Sequence, residues 1–170
     1  PRAACSCHSP SVLAVRQPMI IVSRSRRPVR NRSRSKRVKR SSWVSLTIHA
    51  GEWGPAIHVK EAIEELGAER IGHGVRVLED KNITALAKER GTAFEVCITS
   101  NYQSGVVDAL DAHPLMNMLN AGINATINTD DPSISRISLS HEYYIACEDL
   151  QMSQNTLRER IVAAAQAGFL

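Results

Sequence analysis

An α/β fold with parallel strands is predicted for this chain of 170 residues from three observations. Short apolar runs alternate with stretches of helical period, each run ends in polar residues, and glycines close the helical stretches. Strand–helix alternation of that kind implies parallel strands joined by right-handed crossovers.

The first strand is Val44-Ser45-Leu46-Thr47-Ile48, ending in His49-Ala50-Gly51-Glu52. Ala56 to Leu66 follows as a helix, with Ile57, Ala62, Ile63 and Leu66 on one face and Gly67 as its stop. Ala68 to Ile71 is the second strand and ends in Gly72-His73-Gly74. Leu78 to Arg90 is the second helix, with Ile83, Leu86 and Ala87 at helical spacing before Gly91. Ala93 to Cys97 is the third strand, ending in Thr99-Ser100-Asn101. Pro114 to Ala121, carrying Leu115, Met118 and Leu119, is a third helix and stops at Gly122. Ile123 to Ile127 is the fourth strand, ending in Asn128-Thr129-Asp130-Asp131-Pro132, and a last helix begins near Asn155.

Asp130 and Asp131 carry the most information. Two like charges so close are costly unless a cation or a proton lies between them. A solvated Asp-Asp-Pro turn is the plain alternative. The other strand ends decide between the two readings. In a parallel barrel the loops at the carboxyl ends of the strands build the active site, and His49, Glu52, His73, Asp130 and Asp131 all fall at such ends.

His49-Ala50-Gly51-Glu52, Arg70-Ile71-Gly72-His73-Gly74, Thr99-Ser100-Asn101 and Asn128-Thr129-Asp130-Asp131-Pro132, in this order and spacing, resemble the adenosine deaminase family. His113-Pro114-Leu115 and His141-Glu142-Tyr143 look like its bacterial-type members. The resemblance runs from about Ser45 to about Phe169. It implies a partial (β/α)8 TIM barrel, strands five to eight with their helices, over residues 45–170. It further implies a zinc hydrolase converting adenosine to inosine and ammonia, with a small purine nucleoside as its partner. His49 and Asp130 would be zinc ligands. His73 would orient the attacking hydroxide, as a base or an electrostatic partner. Glu52 would protonate a purine ring nitrogen, Asp131 would hold the water and another ring nitrogen, and Gly51 would contact substrate. Thr99, Ser100 and Asn101 match as loop supports. An adenine deaminase of the same barrel family is the nearest rival.

The departures from the family are equally informative. The family takes two further zinc ligands from a His-x-His pair, and no two of the six histidines here are two residues apart. Two matched ligands fall short of the three that catalytic zinc generally keeps. A complete eight-fold barrel needs about 250 residues, so the chain is expected to be a fragment with open strand edges, weak zinc binding and little activity alone.

Residues 1–44 form a separate body. Twelve of the 21 basic residues precede Leu46 and none of the 17 acidic residues precedes Glu52. A disordered Arg/Ser-rich arm is therefore expected ahead of an acidic enzyme domain. Three readings of the arm stay open: nucleic-acid binding through residues 24–40, a transit peptide, and out-of-frame sequence, which is favoured because none of the family's early motifs stands there. A remnant barrel with a nucleic-acid-binding arm is thus the alternative to the enzyme. Met19-Ile20-Ile21-Val22 is too short to span a membrane, so no membrane partner is expected. Cysteines without a secretory signal suggest a cytoplasmic protein with reduced thiols. His58 and His113 are expected to be solvated or capping, and Trp53 to pack or to rim the pocket.

Overall fold

The computed structural model of the chain describes residues 20–24 and 44–169. Its centre is a sheet in which β2 (Val44–Ala50), β3 (Arg70–His73), β4 (Ala93–Val96) and β5 (Asn124–Ile127) lie side by side in sequence order, all parallel. Neighbours in space that are also neighbours in sequence, each joined by a helical crossover, are what a barrel wall requires.

Register sorts the residues into two layers. Ile48, Ile71, Phe94 and Ala125 stand abreast across the four strands, and each is 0% exposed. They join the core formed with Val59, Ile63, Ile83 and Met118 of the crossover helices. One residue further along, His49, Gly72, Glu95 and Thr126 stand abreast on the opposite side. The strand alternation thus separates an apolar layer from a more polar one.

The helices are α1 (Ile57–Glu64), α2 (Lys81–Arg90), α3 (Ile98–Gln103), α4 (Leu115–Asn120), α5 (Pro132–Ser135), α6 (Leu139–Glu148) and α7 (Gln154–Ala167). Four differ from the sequence expectation: α5 and α6 have no counterpart in it, and α2 and α3 depart from it as follows. The stretch from Leu78 to Arg90 is not one helix: a 3₁₀ turn, Val75–Glu79, precedes α2. Asp80 breaks it, because its extended backbone (φ −131°) lets the carboxylate accept the Asn82 and Ile83 N–H groups as an N-cap. Thr99, Ser100 and Asn101 lie in α3, which starts directly after β4, rather than in a loop. At its first turn the buried Glu142 carboxylate of α6 accepts the Thr99 N–H at 3.2 Å.

Within the segment expected to be disordered, β1 (Ile20–Arg24) pairs antiparallel with β2, Ile20 opposite Ile48. It occupies the β2 edge that the sequence reading left open. The rest of the basic arm, including Cys5, Cys7, His8 and most of 24–40, lies outside the described residues. At the other side of the sheet α7 packs on β5, and its end returns to β3. There Arg70 donates to the Ala167 carbonyl at 3.3 Å and holds its guanidinium carbon 3.9 Å from the Phe169 ring centre. Among the described residues no helix is long and apolar enough to cross a membrane.

Candidate functional site

The site grows from how each strand ends. After β2, Gly51 adopts φ +66°, and a side chain there would press on Val59 Cγ2 at 2.6 Å. The turn it makes carries the chain from His49 to Glu52. His73 at the end of β3 and Asp130 just past β5 both sit at φ 59°, a conformation uncommon for side-chain-bearing residues. Backbone strain of this kind concentrates where function demands a particular aim. Opposite His49, Gly72 supplies the missing Cβ that makes room for the imidazole.

These ends converge. The His49 and His73 rings meet edge to face with centres 4.9 Å apart. His73 Nε2 lies 3.7 Å from Glu52 Oε2 and 4.0 Å from Asp130 Oδ2. One potential ligand atom each from His49, Glu52 and His73 falls within a mutual 4.8 Å, a spacing that one metal ion can bridge. Imidazole and carboxylate donors in that mixture suit zinc and related divalent ions. Asp130 is steadied by Ser100, whose Oγ donates to Oδ2 at 2.8 Å.

The two adjacent aspartates do different things. Asp131 Oδ1 accepts the Ser133 and Ile134 N–H groups at 3.0 and 3.1 Å and caps α5, while Asp130 faces His73. Asp131 therefore carries out the turn-forming role of the plain reading, with its second carboxylate oxygen left for other contacts.

Burial sets the charges. It lowers the His73 pKa to about 4, reinforced by the His49 ring and opposed by Asp130, so His73 is neutral near pH 7. Burial likewise raises Glu95, against the pull of Arg70, which it pairs with at 3.2 Å, and of His49. The Cys97 thiol beneath the site is pushed far above its ordinary range by burial and by the Asp130, Glu142 and Glu95 carboxylates. It is a neutral thiol, not a nucleophile.

Four residues given no catalytic part by sequence reasoning matter here: Ser100, Asn101, His113 and Glu142. His113 does cap, accepting the Leu115 N–H at 3.1 Å, but it is 4% exposed rather than solvated. Asn101 bridges it to His73. The available signal was the density of polar residues after β4 and the His-Pro step before α4. Trp53, beside Glu52, is 47% exposed.

Similarity to known proteins agrees with this geometry. A family model described as adenosine deaminase matches residues 30–170. The adenosine deaminase of Erwinia tasmaniensis is 44% identical over 119 residues, 70% of this chain and 36% of that protein. The structure of an adenine deaminase from Arthrobacter aurescens superposes with a TM-score of 0.70 and 32% identity, over 72% of this chain and 37% of that one. A zinc-bound amidohydrolase from Burkholderia ambifaria superposes with a TM-score of 0.67 and 26% identity, over 73% and 35% of the two chains. This chain spans little more than a third of the length of each of these relatives. Sequential parallel strands ending in a His-Glu-His cluster with an aspartate alongside, and a family match over most of the residues, lead to one conclusion: the chain belongs to the adenosine deaminase family.

Proposed function

We propose that these strand ends form the zinc site of a hydrolytic deaminase that converts adenosine and water to inosine and ammonia. The observation that carries this reading is the convergence of His49, Glu52 and His73, with Asp130 beside them, on one side of the sheet. His49 and Asp130 hold the ion. Zinc, when bound, acts as a Lewis acid and lowers the pKa of water toward 7. His73 orients the attacking oxygen toward the purine carbon that bears the amine. Glu52, protonated, gives its proton to the ring nitrogen that gathers charge during attack. Asp131 binds a second ring nitrogen through the carboxylate oxygen that does not cap α5, and Gly51 leaves room for the ring against the β2 end. The two free thiols among the described residues, Cys97 and Cys147, support a reducing, cytoplasmic setting.

Adenine is the second reading of the substrate, favoured by the 0.70 TM-score of the adenine deaminase neighbour. One experiment separates the two. Zinc content and ammonia release are measured for this chain and for a chimera that joins it to the N-terminal part of the Erwinia enzyme. Zinc lost in His49→Ala, and ammonia from adenosine in excess of adenine, is the expected result. The reverse preference assigns the free base. Zinc-independent ammonia release, or none from either purine in the zinc-loaded chimera, overturns the proposal.

A further inference from the structure

A line of four buried groups runs from the backbone of α4 to His73, and its hydrogen bonds can be directed in only one way. It begins at the Leu115 N–H, which can only donate, and which lies 3.1 Å from His113 Nδ1. That nitrogen must therefore present its lone pair, so His113 is neutral and carries its one proton on Nε2. His113 Nε2 stands 3.2 Å from Asn101 Oδ1 and donates to it. With its oxygen engaged on that side, Asn101 turns its amide nitrogen toward His73 Nδ1, 3.1 Å away, and donates there. His73 Nδ1 then holds a lone pair, and the ring's proton sits on Nε2, the atom that faces Glu52 and Asp130.

Burial makes the direction binding. Asn101 and Leu115 are 0% exposed, His73 1% and His113 4%. No solvent reaches the line to satisfy a group pointed the wrong way. Reversing any one member would set two N–H groups, or two lone pairs, against each other in a dry site.

We propose that Asn101 and His113 are positioning residues that fix His73 in its Nε2–H tautomer, so that His73 meets the attacking oxygen as a hydrogen-bond donor and not as a base. The chemical consequence rests on the deaminase reading; the tautomer itself does not. The distances from Nε2 to the two carboxylates, 3.7 and 4.0 Å, exceed a direct hydrogen bond, so neither carboxylate engages the Nε2–H directly. A protonated Nε2 offers no lone pair to a metal ion. Within the His49, Glu52 and His73 cluster, metal binding thus falls to His49 and the carboxylates, with His73 alongside.

The test is ring-nitrogen NMR on the 170-residue chain labelled at histidine, without zinc or substrate, His73 and His113 being assigned from their Gln variants. Both rings are expected to show a bare Nδ1 and a protonated Nε2. A protonated Nδ1 on either ring, or a signal averaged between tautomers, overturns the proposal. Asn101→Asp replaces the amide donor with an acceptor of the same shape. It is expected to place a proton on His73 Nδ1, moving the occupancy of that nitrogen about tenfold or more, the bias one buried hydrogen bond supplies. A His73 Nδ1 that stays bare in folded Asn101→Asp removes Asn101 as the cause. Should that variant not fold, the wild-type spectrum still decides. Because no turnover is read, an inactive protein leaves this result standing, and a contrary tautomer leaves the deaminase reading standing.

Discussion

His113→Gln should flatten the acid side of the stability profile by an amount that the structure fixes. Burial, with the nearby His73 second, lowers the His113 pKa from 6.5 to about 4. In the unfolded chain the imidazole takes up a proton as the pH falls below about 6.5. Between those two values the unfolded state binds more protons than the folded one, so stability rises with pH there. The contribution is complete above the unfolded value and is lost as the pH falls toward 4. At about pH 5 nearly every unfolded imidazole is charged but only about a tenth of the folded ones, which amounts to about 2 kcal/mol relative to about pH 7.5. Glutamine removes this titration, yet its amide still offers an acceptor to the Leu115 N–H and a donor to Asn101. Urea unfolding of wild type and variant at the two pH values reads the effect. Wild type should lose about 2 kcal/mol more than His113→Gln across that interval. The lowered pKa of His73 is present in both proteins, so it largely drops out of the comparison. Equal losses would refute the claim that the fold holds His113 neutral.

Three further outcomes are expected. In the Erwinia chimera Glu52→Gln should keep zinc, by elemental analysis, and lower ammonia release by about 10²–10⁴-fold, the ordinary worth of a general acid; near-normal release removes Glu52 from the chemistry. Asp130→Ala should lower zinc occupancy, whereas Asp131→Ala should keep zinc while losing the α5 cap, a cost of about 1 kcal/mol; equal zinc loss in both contradicts the division of labour between them. Gly72→Ala should place a methyl group 2.8 Å from His49 Nε2 and 3.0 Å from Cγ. The ring must shift, with about 1–3 kcal/mol of overpacking and weaker zinc binding; unchanged zinc affinity by competition with a chelator would show that His49 does not need its present position.

Much of the site was readable in the sequence because it depends on local pattern. An apolar run stopped by a polar residue marks a strand end, and strand ends in an α/β wall share one edge. His49, Glu52, His73 and Asp130 were found that way, and the structure brings them together. The alternation within β4 likewise places Phe94 in the core and Glu95 on the other side. Adjacent Asp130 and Asp131 show where local pattern stops: the same residue type at neighbouring positions, one facing His73 and one capping α5.

What remained hidden depends on which segments meet. Glu142 reads as one more acidic residue on a surface helix, yet it is 0% exposed and bonds the first turn of α3, 43 positions away in sequence. Asn101 lies 28 residues from His73 and 12 from His113, so nothing in the periodicity of any one element joins them. Hydrophobic period tells which face of an element is buried and where the element stops. It carries no information on the direction of a hydrogen bond between distant side chains, which the register of the sheet and the path of the loops alone create. The sequence was enough to place these polar residues at the strand ends; only the fold brings His113 and Asn101 into line with His73.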